Sequence, residues 1–287
     1  MFVIDSVVLN DKKKRLEVTL HSLISNVANQ NLLIKTVISH TMFPAGKLLR
    51  SLLVVLMYDM LGGTKGDIYT CACIPEMIHV ATLILDDLPC MDDSSYRRSK
   101  LSCHKKFGDA NAILMAFGLA AESFRMLADK NNFNGIHSDQ LLIMMQEVYQ
   151  KVGFNGLIGG QVADLNGGTS LLMSVNDAQK LNYITSNKTA TLFEVCAIIA
   201  CCLAEATQED KKHMLTYAYN VGMALQIFDD LHDNNEDKGL SFSKVYSIDK
   251  AQELLHQKIQ LSNESIIYTN ESAVLLKQLP QILFKSV

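Results

Sequence analysis

Apolar residues recur at helical spacings along most of the chain, in segments such as "LLRSLLVVLMYDML" (48–61), "DQLLIMMQEVYQKV" (139–152) and "KKHMLTYAYNVGMALQIFDDL" (211–231). Clean period-2 alternation is absent, which argues against strands. Turn-forming clusters punctuate the helical pattern at "FPAG" (43–46), "LGGTKGD" (61–67), "DKNNFNG" (129–135), "NGGTS" (166–170) and "NNEDKG" (234–239). They separate helices of ordinary to long length and do not divide the chain into unlike halves. The pattern predicts one all-α domain over residues 1–287, a single large helical bundle around a central apolar cavity lined by side chains of facing helices.

Length alone gives a soft prior of roughly two domains, but the pattern shows no linker and no short-period repeat. Hydrophobic residues make up 48% of the chain and charged residues 20%, enough apolar material for a sizeable core. No stretch offers ~18 uninterrupted apolar residues, and the basic run "KKKR" (12–15) follows the first apolar segment, the reverse of a secretory signal. A soluble, cytoplasmic protein without a transmembrane segment is expected. The 7 cysteines lack metal-type spacing, and Cys71, Cys73, Cys196, Cys201 and Cys202 lie in apolar runs, as reduced core residues do. A formal charge of -4 leaves no electrostatic footprint for nucleic acid.

Two acidic clusters change the picture. "LILDDLPCMDDSSYRRSK" (83–100) runs from an apolar segment into Asp86, Asp87 and Asp92 and then Arg97 and Arg98. "LQIFDDLHD" (225–233) ends an apolar-periodic helix with Asp229, Asp230 and Asp233, and the i, i+4 spacing puts Asp229 and Asp233 on one face. A lone pair of this kind is most often a solvated helix end. Two clusters, each at the C-terminal part of a helix where negative charge opposes the macrodipole, ask for cations. All-oxygen donors without a histidine or cysteine cage favour Mg²⁺, which completes its shell with water and substrate phosphates. With the arginines alongside, a diphosphate ester fits. Neither a P-loop nor G-x-G-x-x-G is present.

These residues resemble the trans-isoprenyl diphosphate synthases. "DDLPCMD" is similar to that family's first aspartate-rich motif in its DDxxxxD form and "DDLHD" to its second, DDxxD. "AGKLLR" (45–50) is similar to GGKxxR, "GGQVADL" (159–165) to GQxxD, and "NKTATLFE" (187–194) to KTAxL. The resemblance runs from about residue 43 to about 250. It implies that Asp86, Asp87, Asp92, Asp229, Asp230 and Asp233 hold Mg²⁺, three ions per site, together with the allylic diphosphate. It places Arg97 and Lys188 on that diphosphate, and Gly46, Lys47, Arg50, His79 and Arg98 at the isopentenyl diphosphate. Gln161 and Gln226 match site-lining glutamines, and the Thr189 position faces the developing carbocation. Lys244 matches the lysine after the lid loop, in a segment shorter than the family's and without its Gly-Lys-Asp element.

Such chemistry ionises an allylic C–O bond, so diphosphate charge must be stabilised and a carbocation kept from water. Product length then depends on what blocks the tunnel. Ala81 and Thr82 lie five and four residues before Asp86, and alanine there resembles bacterial geranylgeranyl diphosphate synthases. The resemblance implies a C20 product, with farnesyl diphosphate as the alternative because Phe117 could close the tunnel from a neighbouring helix. It also implies a homodimer. A non-catalytic subunit of a heteromeric prenyl synthase and a class I terpene cyclase remain open alternatives. Ser51 stands where the family usually has proline, Pro75 is expected to interrupt the helix before His79, and Phe117 replaces an aspartate.

Overall fold

Side chains that satisfy exposed amides set where several helices begin. A computed structural model describes residues 6–27, 31–169, 175–232 and 239–284. In it Asn31 accepts from the amides of Leu33 and Ile34 at the start of α2 (Leu32–Met42), and Asp67 accepts from the Thr70 amide at the start of α4 (Ile68–Asp86). Asn176 and Gln179 form a reciprocal capping box on α9 (Asp177–Ile184). The remaining helices are α1 (Ser6–Val27), α3 (Leu49–Met60), α5 (Cys103–Phe107), α6 (Asp109–Ala128), α7 (Ser138–Val152), α8 (Leu157–Leu165), α10 (Thr191–Leu203), α11 (Gln208–His232), α12 (Phe242–Val245), α13 (Ile248–Glu264) and α14 (Glu271–Leu283). The all-α expectation holds.

The chain packs as two compact units, residues 1–55 with 65–135, and residues 56–64 with 136–287. In the first, α4 packs on α6, α1 and α2. Every residue from Thr70 to Ile78 is buried, so α4 is core on nearly all sides. Pro75 lies inside this helix, which runs through it, correcting the expected interruption. An interior proline costs ~3 kcal/mol or more. Burial of its neighbours Ile74, Met77 and Ile78 offsets that cost, at ~1.5–3 kcal/mol per large apolar side chain.

In the second unit α10 and α11 form the centre, with α11 against α13 and α10 against α7. The sequence "TLFEVCAIIACCL" of α10 is buried along almost its full length. Between α9 and α10 the residues Thr185–Ala190 form one turn of π-helix, which packs against both α8 and α11. Among the described residues a small antiparallel hairpin, β1 (Tyr96–Arg97) and β2 (Lys100–Leu101), is the exception to the helical pattern. Its central residues Arg98 and Ser99 both have positive φ, 51° and 62°, as a type I′ turn requires. Neither is the glycine or asparagine that usually signals such a turn, so the hairpin leaves no trace in the sequence pattern.

The helix α4, the helix α6 and the run Asp177–Leu203 are each long and apolar enough to cross a membrane by length and composition. For α4 and Asp177–Leu203, 67% of that stretch is buried inside the protein. None of the seven cysteines is in a disulfide, and five of them, Cys71, Cys73, Cys103, Cys196 and Cys201, are buried.

Candidate active site

In the first unit α4 carries a partly exposed stripe at His79, Thr82, Leu83 and Asp86, spaced i, i+3, i+4 and i+7. Ala81 lies off this stripe, buried at 4% exposure, and Thr82 turns its hydroxyl to the His79 carbonyl at 2.8 Å. Asp86 is the last helical residue, and its carbonyl accepts the Asp92 amide at 3.0 Å, closing the loop between the two acids. Asp92 is exposed.

Asp87 behaves differently. It is buried, and both its oxygens accept from Arg97, through Nε at 3.1 and 3.3 Å and through Nη2 at 2.6 Å. Charge-assisted forks of this kind are strong and directional. Asp87, expected at the metal, turns its carboxylate onto Arg97 and fixes that residue's place on the hairpin.

Arg98 follows at the hairpin tip and reaches back to the buried Glu76, with Nη2 at 3.7 Å from Oε1. Burial raises the Glu76 pKa, opposed by the charges of Arg50 and Arg98. Burial, then Arg50, Arg98 and Arg97, push His79 well below the ordinary histidine range, so at neutral pH it is an uncharged hydrogen-bonding group among cations. Gly46 explains why Arg98 can lie where it does, since a Cβ there would stand 2.8 Å from Nη2 and 2.9 Å from Cζ. Lys47 is exposed beside Leu48, whose φ of 51° turns the chain into α3 and toward Arg50. Thus Gly46, Arg50, His79 and Arg98 are brought together, with Glu76 as a member that motif spacing missed. A solvent-open cleft beside the Asp87–Arg97 pair also has Arg98 on its wall and so adjoins this cluster, although Lys47, Arg50, His79 and Asp86 do not line it.

In the second unit the π-helical turn carries Lys188 and Thr189 between two glycines. A Cβ on Gly160 of α8 would meet the Lys188 amide at 2.3 Å, and one on Gly222 of α11 would meet the Ala190 Cα at 2.6 Å. Only glycine allows both approaches. The Lys188 ammonium sits 2.6 Å from Asp164 Oδ2, where Asp164 is the last residue of the GQxxD-like segment and a site residue that spacing alone did not single out. Thr189 donates its hydroxyl to Gln226 Oε1 at 2.8 Å. Gln226 in turn donates to Asp230 Oδ1 at 2.7 Å, and Asp230 Oδ2 accepts the Phe242 amide at 2.7 Å. Asp230 therefore ties α11 to the start of α12, while Asp229 is exposed. Gln161 is half-buried on α8, and exposed Lys244 donates to the Gly239 carbonyl at 3.1 Å. Asp233 lies outside the described residues.

Among the described residues no three acidic, histidine or cysteine side chains form a ready-made metal cage. The carboxylates of Asp86, Asp92 and Asp229 are hard oxygen donors, the kind that Mg²⁺ takes one or two at a time while it completes its octahedron with water and phosphate oxygens.

Phe117, expected as an alternative tunnel stopper, is 75% exposed on α6, away from Ala112, Ala116 and Leu119, which are buried. It blocks no interior space in its own unit.

A family model described as polyprenyl synthetase matches residues 31–254. Geranylgeranyl pyrophosphate synthase 6, mitochondrial, of Arabidopsis thaliana is 35% identical over 235 residues, 75% of this chain and 68% of that one. Farnesyl diphosphate synthase of Bacillus subtilis is 34% identical over 225 residues, 78% of this chain and 74% of that one. A crystal structure of a geranyltransferase from Legionella pneumophila matches with a TM-score of 0.85 and 27% identity, over 97% of this chain and 96% of that one. An apo FPP/GFPP synthase structure from Zymomonas mobilis shares the fold, with a TM-score of 0.87 and 24% identity over 97% and 99%.

Proposed function

We propose, from the premise that this chain belongs to the polyprenyl synthetase family and is a trans-prenyltransferase that elongates prenyl diphosphates, that its product is the C20 geranylgeranyl diphosphate. Its substrates are isopentenyl diphosphate and the allylic dimethylallyl, geranyl and farnesyl diphosphates. Asp86, Asp92 and Asp229 are the residues that would hold Mg²⁺, with Asp233 of the same motif. Bound there, Mg²⁺ would supply positive charge against the diphosphate oxygens as the allylic C–O bond ionises.

The chain's own groups do the rest. Lys188, oriented by Asp164, and Arg97, oriented by Asp87, bind the allylic diphosphate. Lys47, Arg50 and Arg98 bind isopentenyl diphosphate, with neutral His79 as a hydrogen-bonding partner. Thr189 and Gln226 direct polar oxygens at the carbocation. The apolar wall of α4 excludes water while the isopentenyl double bond attacks C1. The proton then lost goes to the departing diphosphate. A homodimer built on the outer face of α6 and a reducing compartment, the cytoplasm, complete the reading; seven cysteines outside any disulfide suit the latter.

The observation that carries the C20 assignment is the small Ala81 five residues before Asp86, with Phe117 turned to the outside. At a rise of ~1.5 Å per residue Ala81 stands about 7–8 Å along α4 from the acid. Incubating the protein with Mg²⁺, isopentenyl diphosphate and each allylic primer, and identifying the released chains, tests it. The parent is expected to release C20 and Ala81→Tyr a shorter product. The same chain-length distribution from both, or a C15 end product from the parent, would remove Ala81 as the ruler.

A further inference from the structure

Four aspartates stand in "DDLPCMDD", and the motif resemblance uses three of them. The fourth, Asp93, has a left-handed backbone with φ 49°, a conformation aspartate tolerates better than most residues. Its amide donates to the Leu88 carbonyl at 3.1 Å, next to the Asp92 amide that donates to the Asp86 carbonyl at 3.0 Å. Its carboxylate turns away from the loop onto α5. Lys105 Nζ donates to Oδ1 at 3.0 Å, and His104 Nε2 stands 3.6 Å from the same oxygen. The His104 side chain is only 2% exposed, and its Nδ1 is 3.1 Å from the hydroxyl of buried Ser102. Ser102 is anchored in turn through its amide to the Ser95 carbonyl at 3.0 Å. Nε2 of His104 is buried and makes no hydrogen bond within the described residues, and the Asp93 carboxylate at 3.6 Å is its ion-pair partner when the ring is charged.

We propose that Asp93 is a positioning residue of the first acidic cluster: gripped by Lys105 and His104, it holds the left-handed turn that presents Asp92 outward beside Asp86. The proposal rests on the reading that Asp86 and Asp92 hold metal. α5 is itself seated on α2 and α6, so the grip ties the end of a surface loop to the packed body of its unit. Without it the loop samples conformations in which Asp86 and Asp92 do not serve one ion together, and metal affinity falls while the ligands remain. Asp93→Asn keeps the side-chain shape and the tolerance for positive φ, so it isolates the charge of the grip from the strain of the turn.

Calorimetric titration of inorganic diphosphate at a series of Mg²⁺ concentrations reads this directly. Exposed ion pairs are individually weak, whereas outer-shell partners of metal ligands commonly shift affinity 10- to 100-fold. Asp93→Asn is expected to need about five- to tenfold more Mg²⁺ for half-maximal diphosphate binding, with binding restored at saturating Mg²⁺. Lys105→Met should shift in the same direction, and the double variant should be no worse than Asp93→Asn, because both changes remove one interaction. Parental Mg²⁺ dependence in Asp93→Asn, or shifts that add in the double variant, overturns the positioning role. Diphosphate binding that ignores Mg²⁺ in the parent, or survives intact in Asp86→Ala, overturns instead the metal reading beneath it.

Discussion

Gly46 shows how a single hydrogen can govern a site. The Arg98 guanidinium occupies the place a side chain at 46 would need, 2.8 Å from the position of a Cβ, while its charge faces Glu76. Because the clashing atoms are the end of a flexible side chain, Gly46→Ala should displace Arg98 and leave the fold intact. A displaced charge-assisted contact is worth ~1.5–3 kcal/mol. Steady-state kinetics should therefore show KM for isopentenyl diphosphate rising about tenfold or more, with Tm within a few degrees of the parent. An unchanged KM would mean that Arg98 does not bind that substrate. Residues of this kind were legible in the sequence where motif spacing is local, as in "AGKLLR" and "DDLPCMD". Glu76 and Asp164 were not. The first matters because α4 buries it one turn before His79, and the second because α8 approaches the π-helical turn, and neither distance is encoded in local spacing.

At the scale of elements, helical periodicity located the helices, and what it missed has identifiable causes. The hairpin Tyr96–Leu101 is held by two non-glycine residues at positive φ, against the usual turn chemistry. Pro75 sits in a helix whose burial outweighs its missing amide. The π-helical turn exists between two glycines, Gly160 and Gly222, whose purpose shows only once α8 and α11 are packed. The outer face of α6 is another matter, since Ile113, Leu114 and Phe117 are 49%, 60% and 75% exposed on a helix that is otherwise strongly apolar. A stripe of large apolar side chains in water is the signature of an interaction surface. A second copy of the chain is the proposed occupant. Sedimentation velocity at micromolar concentration should give a species of twice 31.9 kDa for the parent and a monomer for Phe117→Glu. A parent that sediments as a monomer would contradict the homodimer.

For the whole molecule, the fold class and the chemistry were legible because both depend on patterns that survive without coordinates: a helical period over nearly the full chain, and acids in two clusters flanked by cations. The division of labour within each cluster was not. Asp87 and Asp230 look equivalent to their neighbours in sequence, yet Asp87 is enclosed by Arg97, and Asp230 receives Gln226 and the Phe242 amide. Asp92 and Asp229 stay exposed. If both clusters serve one Mg²⁺-dependent prenyl transfer, the rate of chain elongation from isopentenyl and allylic diphosphates must follow Mg²⁺. Removing one ligand leaves diphosphate charge uncompensated where water is excluded. The parent should elongate only with Mg²⁺, and Asp86→Ala and Asp229→Ala should each lower turnover by about two orders of magnitude or more while keeping the parental circular dichroism. Elongation without Mg²⁺, or a near-parental rate in either variant, would contradict the account.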